Sequence, residues 1–79
     1  MDKITLDKLP LKKFATIISV GGEGILRRRL LDMGLTPKTV LMVRKRAPLG
    51  DPIEIYLRDY ELTLRLEDAK KIIVTPEGS

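Results

Sequence analysis

The chain has 79 residues, 43% of them hydrophobic and 33% charged, with a formal net charge of +4. That is enough for one small domain and leaves no room for a second core, and a domain of this size buries only about 60% of the surface its unfolded chain exposes. Cysteine and histidine are both absent, which excludes disulfide staples and removes both the commonest transition-metal ligand and the side chain best suited to proton transfer near neutral pH.

The N-terminal "MDKITLDKLP" has no apolar leader segment, and no run approaches the length needed to cross a bilayer, so a soluble cytoplasmic protein is expected. A polar turn around Pro10 leads into Phe14 to Val20, where β-branched residues crowd without a helical period, and a strand is predicted from about Ala15 to Val20. Gly21, Gly22 and Gly24 then break it. The "GGEG" stretch resembles a phosphate loop in composition only: no Lys-Ser/Thr follows, and Glu23 places negative charge where a phosphate would sit.

From Glu23 to Met33 the period becomes helical, with Leu26, Leu30 and Met33 on one stripe. Gly34 is placed as the left-handed residue after the helix, Leu35 as its apolar follower, and Pro37 as the stop. On a helical wheel Arg28 and Asp32 lie opposite the stripe and Arg27 and Arg29 flank it, while Ile25 and Leu31 fall off it, so the helix is either packed on more than one side or leaves an apolar group open to a partner.

Val40 to Arg46 is predicted as a strand that begins apolar and ends cationic, leaving the core for solvent. "APLGDP" interrupts it with a loop that two prolines and a glycine hold rigid, with Leu49 at the tip either folded back or presented to a partner. Ile53, Ile55 and Leu57 alternate with polar residues in the next strand, and Leu62, Leu64 and Leu66 in the one after, with Asp59 and Tyr60 as the turn and Asp59 placed to take a positive φ. Glu54 and Glu61 are expected in surface ion pairs with Arg58 and Arg65. "EDAKK" gives one helical turn with Glu67 and Asp68 at its start, Ile72 to Thr75 is the last strand, and "PEGS" is expected to fray.

The result is a mainly β fold: a small barrel of about five strands, one α-helix inserted after the first strand, and a short helical turn before the last. A single domain spans 1–79, with its core at about 6–75 and a flexible end at 76–79. No catalytic, cofactor or metal residue is named, because no Ser or Thr has a histidine to activate it and the carboxylates sit in outward or turn positions.

Two segments, "GEGILRRRLLDMGLTPKT" and "RKRAPLGDPIEIYLRDYELTLRLEDAKKI", together resemble the FeoA family of ferrous iron transport accessory proteins, and the likeness runs from Leu6 to Val74. Lys38 stands where the family often has glycine in its "TPGT" turn, and Asp59 stands where "RGY" is usual. The resemblance implies an SH3-like barrel, a cytosolic partner of FeoB, the membrane Fe(II) transporter with a GTPase domain, touching either that cytosolic domain or the membrane part, a non-catalytic supporting or regulating role, and a family-level link to transition metal ions. The barrel also resembles the C-terminal domain of iron-dependent repressors of the DtxR type, without their DNA-binding or metal-binding domains.

The candidate contact residues on this reading are Arg28, Leu31 and Asp32 on the helix, Leu49, Gly50 and Asp51 in the loop, and Tyr60 beyond it. A second reading, a basic nucleic-acid-binding or regulator-type barrel, uses Arg27, Arg28, Arg44 and Arg46, but it lacks aromatic platforms because Phe14 is assigned to the core. A third is weak self-association through the same apolar positions.

Overall fold

A computed structural model of the chain describes residues 3–77. Strand β1 (Ile4–Thr5) leads through a 3-10 turn (Leu6–Lys8) to β2 (Phe14–Val20), α1 (Gly24–Asp32), β3 (Val40–Arg46), β4 (Ile53–Leu57), β5 (Tyr60–Leu64), the short α2 (Leu66–Ala69) and β6 (Ile72–Pro76). All pairings are antiparallel, in one sheet of order β1-β6-β2-β3-β4-β5. Among the described residues the strands number six where the sequence predicts about five, because Ile4–Thr5 is too short to show a period. Its two residues pair with Val74 and Ile73 of β6, so the helix follows the second strand.

The alternation of side chains builds the core. Ala15 and Ile17 of β2, Leu41 and Val43 of β3, Ile53, Ile55 and Leu57 of β4, and Ile72 and Val74 of β6 are all buried on one face, closed by Leu30 of α1 and by Leu6 and Leu9 of the N-terminal segment. Each of the valine, leucine and isoleucine side chains contributes about 1.5–3 kcal/mol by leaving water. Phe14 belongs to the other face, in phase with Thr16, and is 46% exposed, which corrects its assignment to the core.

Two bulges set the remaining directions. In β2 the register shifts between Ile17 and Ser19, so Ile18 and Ser19 both face outward and Val20 returns to the core. In β3 it shifts between Val43 and Lys45, so Arg44 stays on the outer face and Arg46, opposite Ile53, turns to the inner side. There the Arg46 guanidinium donates to the carbonyl oxygens of Asp7 (2.9 Å) and Leu9 (2.6 Å). The end of β3 therefore does not simply enter solvent: its last arginine ties the N-terminal segment to the barrel.

Three turns also differ from expectation. The β4–β5 hairpin turns on Arg58 and Asp59, both at positive φ (47° and 67°), and Tyr60 is already in the strand opposite Leu57. Leu66 begins α2 instead of ending a strand. The last strand reaches Pro76, and the Glu77 N–H donates to Phe14 O at 2.9 Å. Gly78 and Ser79, the rest of the expected frayed end, lie outside the described residues.

Candidate functional site

The "APLGDP" loop is closed by its own backbone. The Gly50 N–H donates to Ala47 O at 2.7 Å and the Ala47 N–H to Pro52 O at 3.0 Å, with Gly50 at φ +85°. Asp51 then reaches out of the loop: its Oδ1 accepts the Leu66 N–H at 3.0 Å, serving as the N-terminal cap that Arg65 does not supply. The loop is thereby fastened at both ends, and Leu49 stands at its tip 95% exposed instead of folding back over the barrel.

At the other end of the β4–β5 hairpin, α1 finishes in the stop written by "LDMGL". The Leu35 N–H donates to Leu30 O (3.2 Å) and the Gly34 N–H to Leu31 O (3.0 Å), the paired bonds of a Schellman motif, with Leu30 and Leu35 both fully buried. Gly34 sits at φ +99°, and the Tyr60 hydroxyl lies over it and donates to Met33 O at 2.5 Å. A Cβ at Gly34 would lie 2.5 Å from that hydroxyl oxygen, so any other residue here takes a strained backbone and has to displace the tyrosine hydroxyl.

On the helix itself Arg28 and Asp32 are exposed, as their place on the wheel requires. Leu31 is not a free outer residue: it is partly buried and packs against the core with Leu26 and Met33. Ile25, 86% exposed, is the apolar side chain that α1 leaves in solvent. The candidates thus fall into two groups, one of Leu49, Gly50 and Asp51 beside α2, the other of Arg28, Leu31 and Asp32 on α1 with Tyr60 at its end. Four residue steps of β4, about 13 Å, separate the two ends of the hairpin.

The arginines are mostly engaged within the chain. Arg27 Nε donates to Val20 O (3.1 Å), Arg46 holds two carbonyls, Arg58 donates to the buried Thr39 Oγ1 (3.0 Å), and Arg29 pairs with the nearly buried Asp68 at 3.5 Å. Glu61 pairs with Arg44, not with the arginines nearer in sequence. Of the four arginines in the nucleic-acid reading, only Arg28 is without a side-chain partner among the described residues. Long-range pairing of this kind depends on register and bulges, which a local reading of charge does not reach.

Among the described residues no group of three or more His, Cys, Asp or Glu side chains converges, and no helix is long and apolar enough to cross a membrane.

Comparison with known proteins gives a consistent answer. The model of the FeoA domain family matches residues 4–76. A fusion of Fe(2+) transport protein A and Fe(2+) transporter FeoB from Porphyromonas gingivalis is 43% identical over 60 residues, covering 76% of this chain, which spans only 7% of that protein. The solution structure of a FeoA-like protein from Clostridium acetobutylicum superposes with a TM-score of 0.90 at 34% identity, over 100% of this chain and 92% of the other. The zinc complex of FeoA from Stenotrophomonas maltophilia, described as an SH3 domain protein with a suggested part in activating ferrous iron transport, gives 0.79 at 26% identity, over 91% and 89% of the two chains.

Proposed function

The chain belongs to the FeoA domain family, and on that premise we propose that it is a cytosolic, non-catalytic accessory module that supports or regulates the Fe(II) transporter FeoB by binding it. The observation that carries this reading is the fusion in Porphyromonas gingivalis, where a segment related to this chain and a FeoB share one polypeptide. A covalent link holds two modules at high effective concentration, which serves a pair that works in contact. The fold favours binding over chemistry, since exposed apolar and charged side chains stand on fastened turns, and docking such a surface costs little ordering entropy.

The contact is assigned to the Leu49–Asp51 loop and, apart from it, to Arg28, Asp32 and Tyr60 around α1, with Leu31 supporting that helix from beneath. Fe(II) is the transporter's cargo on this reading, and no residue of this chain is assigned to it. Nor is the zinc of the Stenotrophomonas relative carried over: this chain has no histidine or cysteine, and its described carboxylates do not cluster.

The test is growth under iron limitation of a strain lacking its own FeoA, complemented with this chain. Wild type is expected to restore Fe(II) uptake, while Leu49→Asp and Arg28→Glu, both at exposed positions, fold normally and restore it only in part. Full restoration by both variants would remove the surface from the account, and failure of the wild type beside its cognate FeoB would remove the function.

A further inference from the structure

The outer face of the sheet is not a uniformly polar surface. Register puts Phe14 opposite Met42 and Met42 opposite Tyr56, so three large side chains from β2, β3 and β4 stand in one row, about 10 Å across at ordinary strand spacing. Phe14 is 46% exposed, and Val40, two residues along β3, is 43% exposed. Beside the row, Met42, Tyr56, Arg44 and Lys12 line an open pocket of about 240 Å³. Sites that enclose a small-molecule ligand run to about 300–1,000 Å³, so this one suits a single side chain.

Two of the four lining residues are cationic. Lys12 adopts φ +67°, a left-handed backbone unusual for lysine, with its N–H fixed on Val43 O at 2.8 Å. Its ammonium has no partner among the described residues. Arg44 lies on this face by strand alternation, two residues from Met42, and its pairing with Glu61 joins two side chains that are 41% and 44% exposed, an arrangement worth little in water and readily exchanged for another carboxylate. Only two cations line the pocket, fewer than a track of phosphates would need there, and Arg27 and Arg46 are held by backbone carbonyls.

We propose that this face docks a short acidic segment of a protein partner, with one apolar side chain seated between Met42 and Tyr56 and flanking carboxylates on Lys12 and Arg44. The assignment goes beyond the accessory role and does not depend on which protein carries the segment. It concerns a surface separate from the Leu49 loop and from α1.

An NMR titration of the isotope-labelled full chain tests it, using two synthetic peptides that share a central leucine, one flanked by glutamates and the other by lysines. The glutamate peptide is expected to shift the amides of Phe14, Met42, Arg44 and Tyr56, and the lysine peptide to leave them in place. Lys12→Glu is expected to weaken the glutamate peptide about tenfold, Phe14→Ser to weaken it as well, and Leu49→Asp to leave it unchanged. No shift at these amides up to about 1 mM peptide, an equal response to both peptides, or unchanged affinity in Lys12→Glu would overturn the proposal. So would an oligonucleotide that moves the same amides with steep salt dependence, which would give the face to nucleic acid. Neither peptide contains any part of FeoB, so this inference and the accessory role stand or fall separately.

Discussion

The hydroxyl of Tyr60 donates to the carbonyl of Met33, directly above Gly34. A residue at the start of β5 thereby satisfies one of the carbonyls that the end of α1 leaves without an intrahelical partner, and joins helix to hairpin. Tyr60→Phe deletes that bond alone and is expected to cost about 1 kcal/mol. Gly34→Ala adds left-handed strain of about 1–2 kcal/mol and pushes the hydroxyl away, so it is expected to cost about 2–3 kcal/mol in total. Urea unfolding of the two variants checks the order, and equal losses would contradict it.

Asp51 is a candidate contact residue that also caps α2. Asp51→Ala is expected to lose about 1 kcal/mol and to speed hydrogen exchange at the Leu66 amide, whereas Asp51→Asn retains most of the cap. Equal protection of Leu66 in the alanine variant would show that the cap is not formed in solution.

Arg46 bonds two carbonyls of the N-terminal segment from one planar guanidinium. Arg46→Ala is expected to destabilise by about 2–3 kcal/mol, and Arg46→Lys to rescue little, because a point charge cannot span both acceptors. Thermal unfolding decides it. A variant as stable as the wild type would free Arg46 for the basic-surface reading.

Asp59 sits at φ 67° in a two-residue hairpin turn, and Tyr56 donates to its Oδ1 across a long 3.4 Å. Glycine accepts that backbone at no steric cost, so Asp59→Gly is expected to stabilise by about 0.5–1 kcal/mol, visible as a raised Tm. An unchanged or lowered Tm would mean that the Tyr56 bond outweighs the strain.

These residues also show what a sequence can reveal. The helix stop was legible because a Schellman ending is local: Leu30, Gly34 and Leu35 lie within six positions and each has the chemistry its place requires. The strands from Ile53 to Leu57 and into Leu62 and Leu64 were legible because alternation repeats often enough to be counted. Phe14 was misassigned because the local run of β-branched residues hides which face a strand end presents, although its phase with Thr16 carried the signal. Leu31 and Ile25 were legible only as off the main stripe, because the placement of the helix against the sheet decides which of them is packed and which is left in solvent. Arg46 was beyond local reading altogether, since one bulge in β3 decides whether it or Lys45 turns inward. The candidate contact loop was legible as rigid and as apolar at its tip, but its tie to Leu66 joins residues fifteen positions apart.

The measurement that bears most directly on the central claim is a heteronuclear NMR titration of the labelled chain with the soluble GTPase domain of its cognate FeoB. The account expects saturable shifts at Leu49, Gly50 and the exposed residues of α1, including Arg28 and Asp32, that weaken in Leu49→Asp. Unchanged spectra with the GTPase domain, and again with full-length FeoB in detergent, would contradict a role exercised through contact with the transporter.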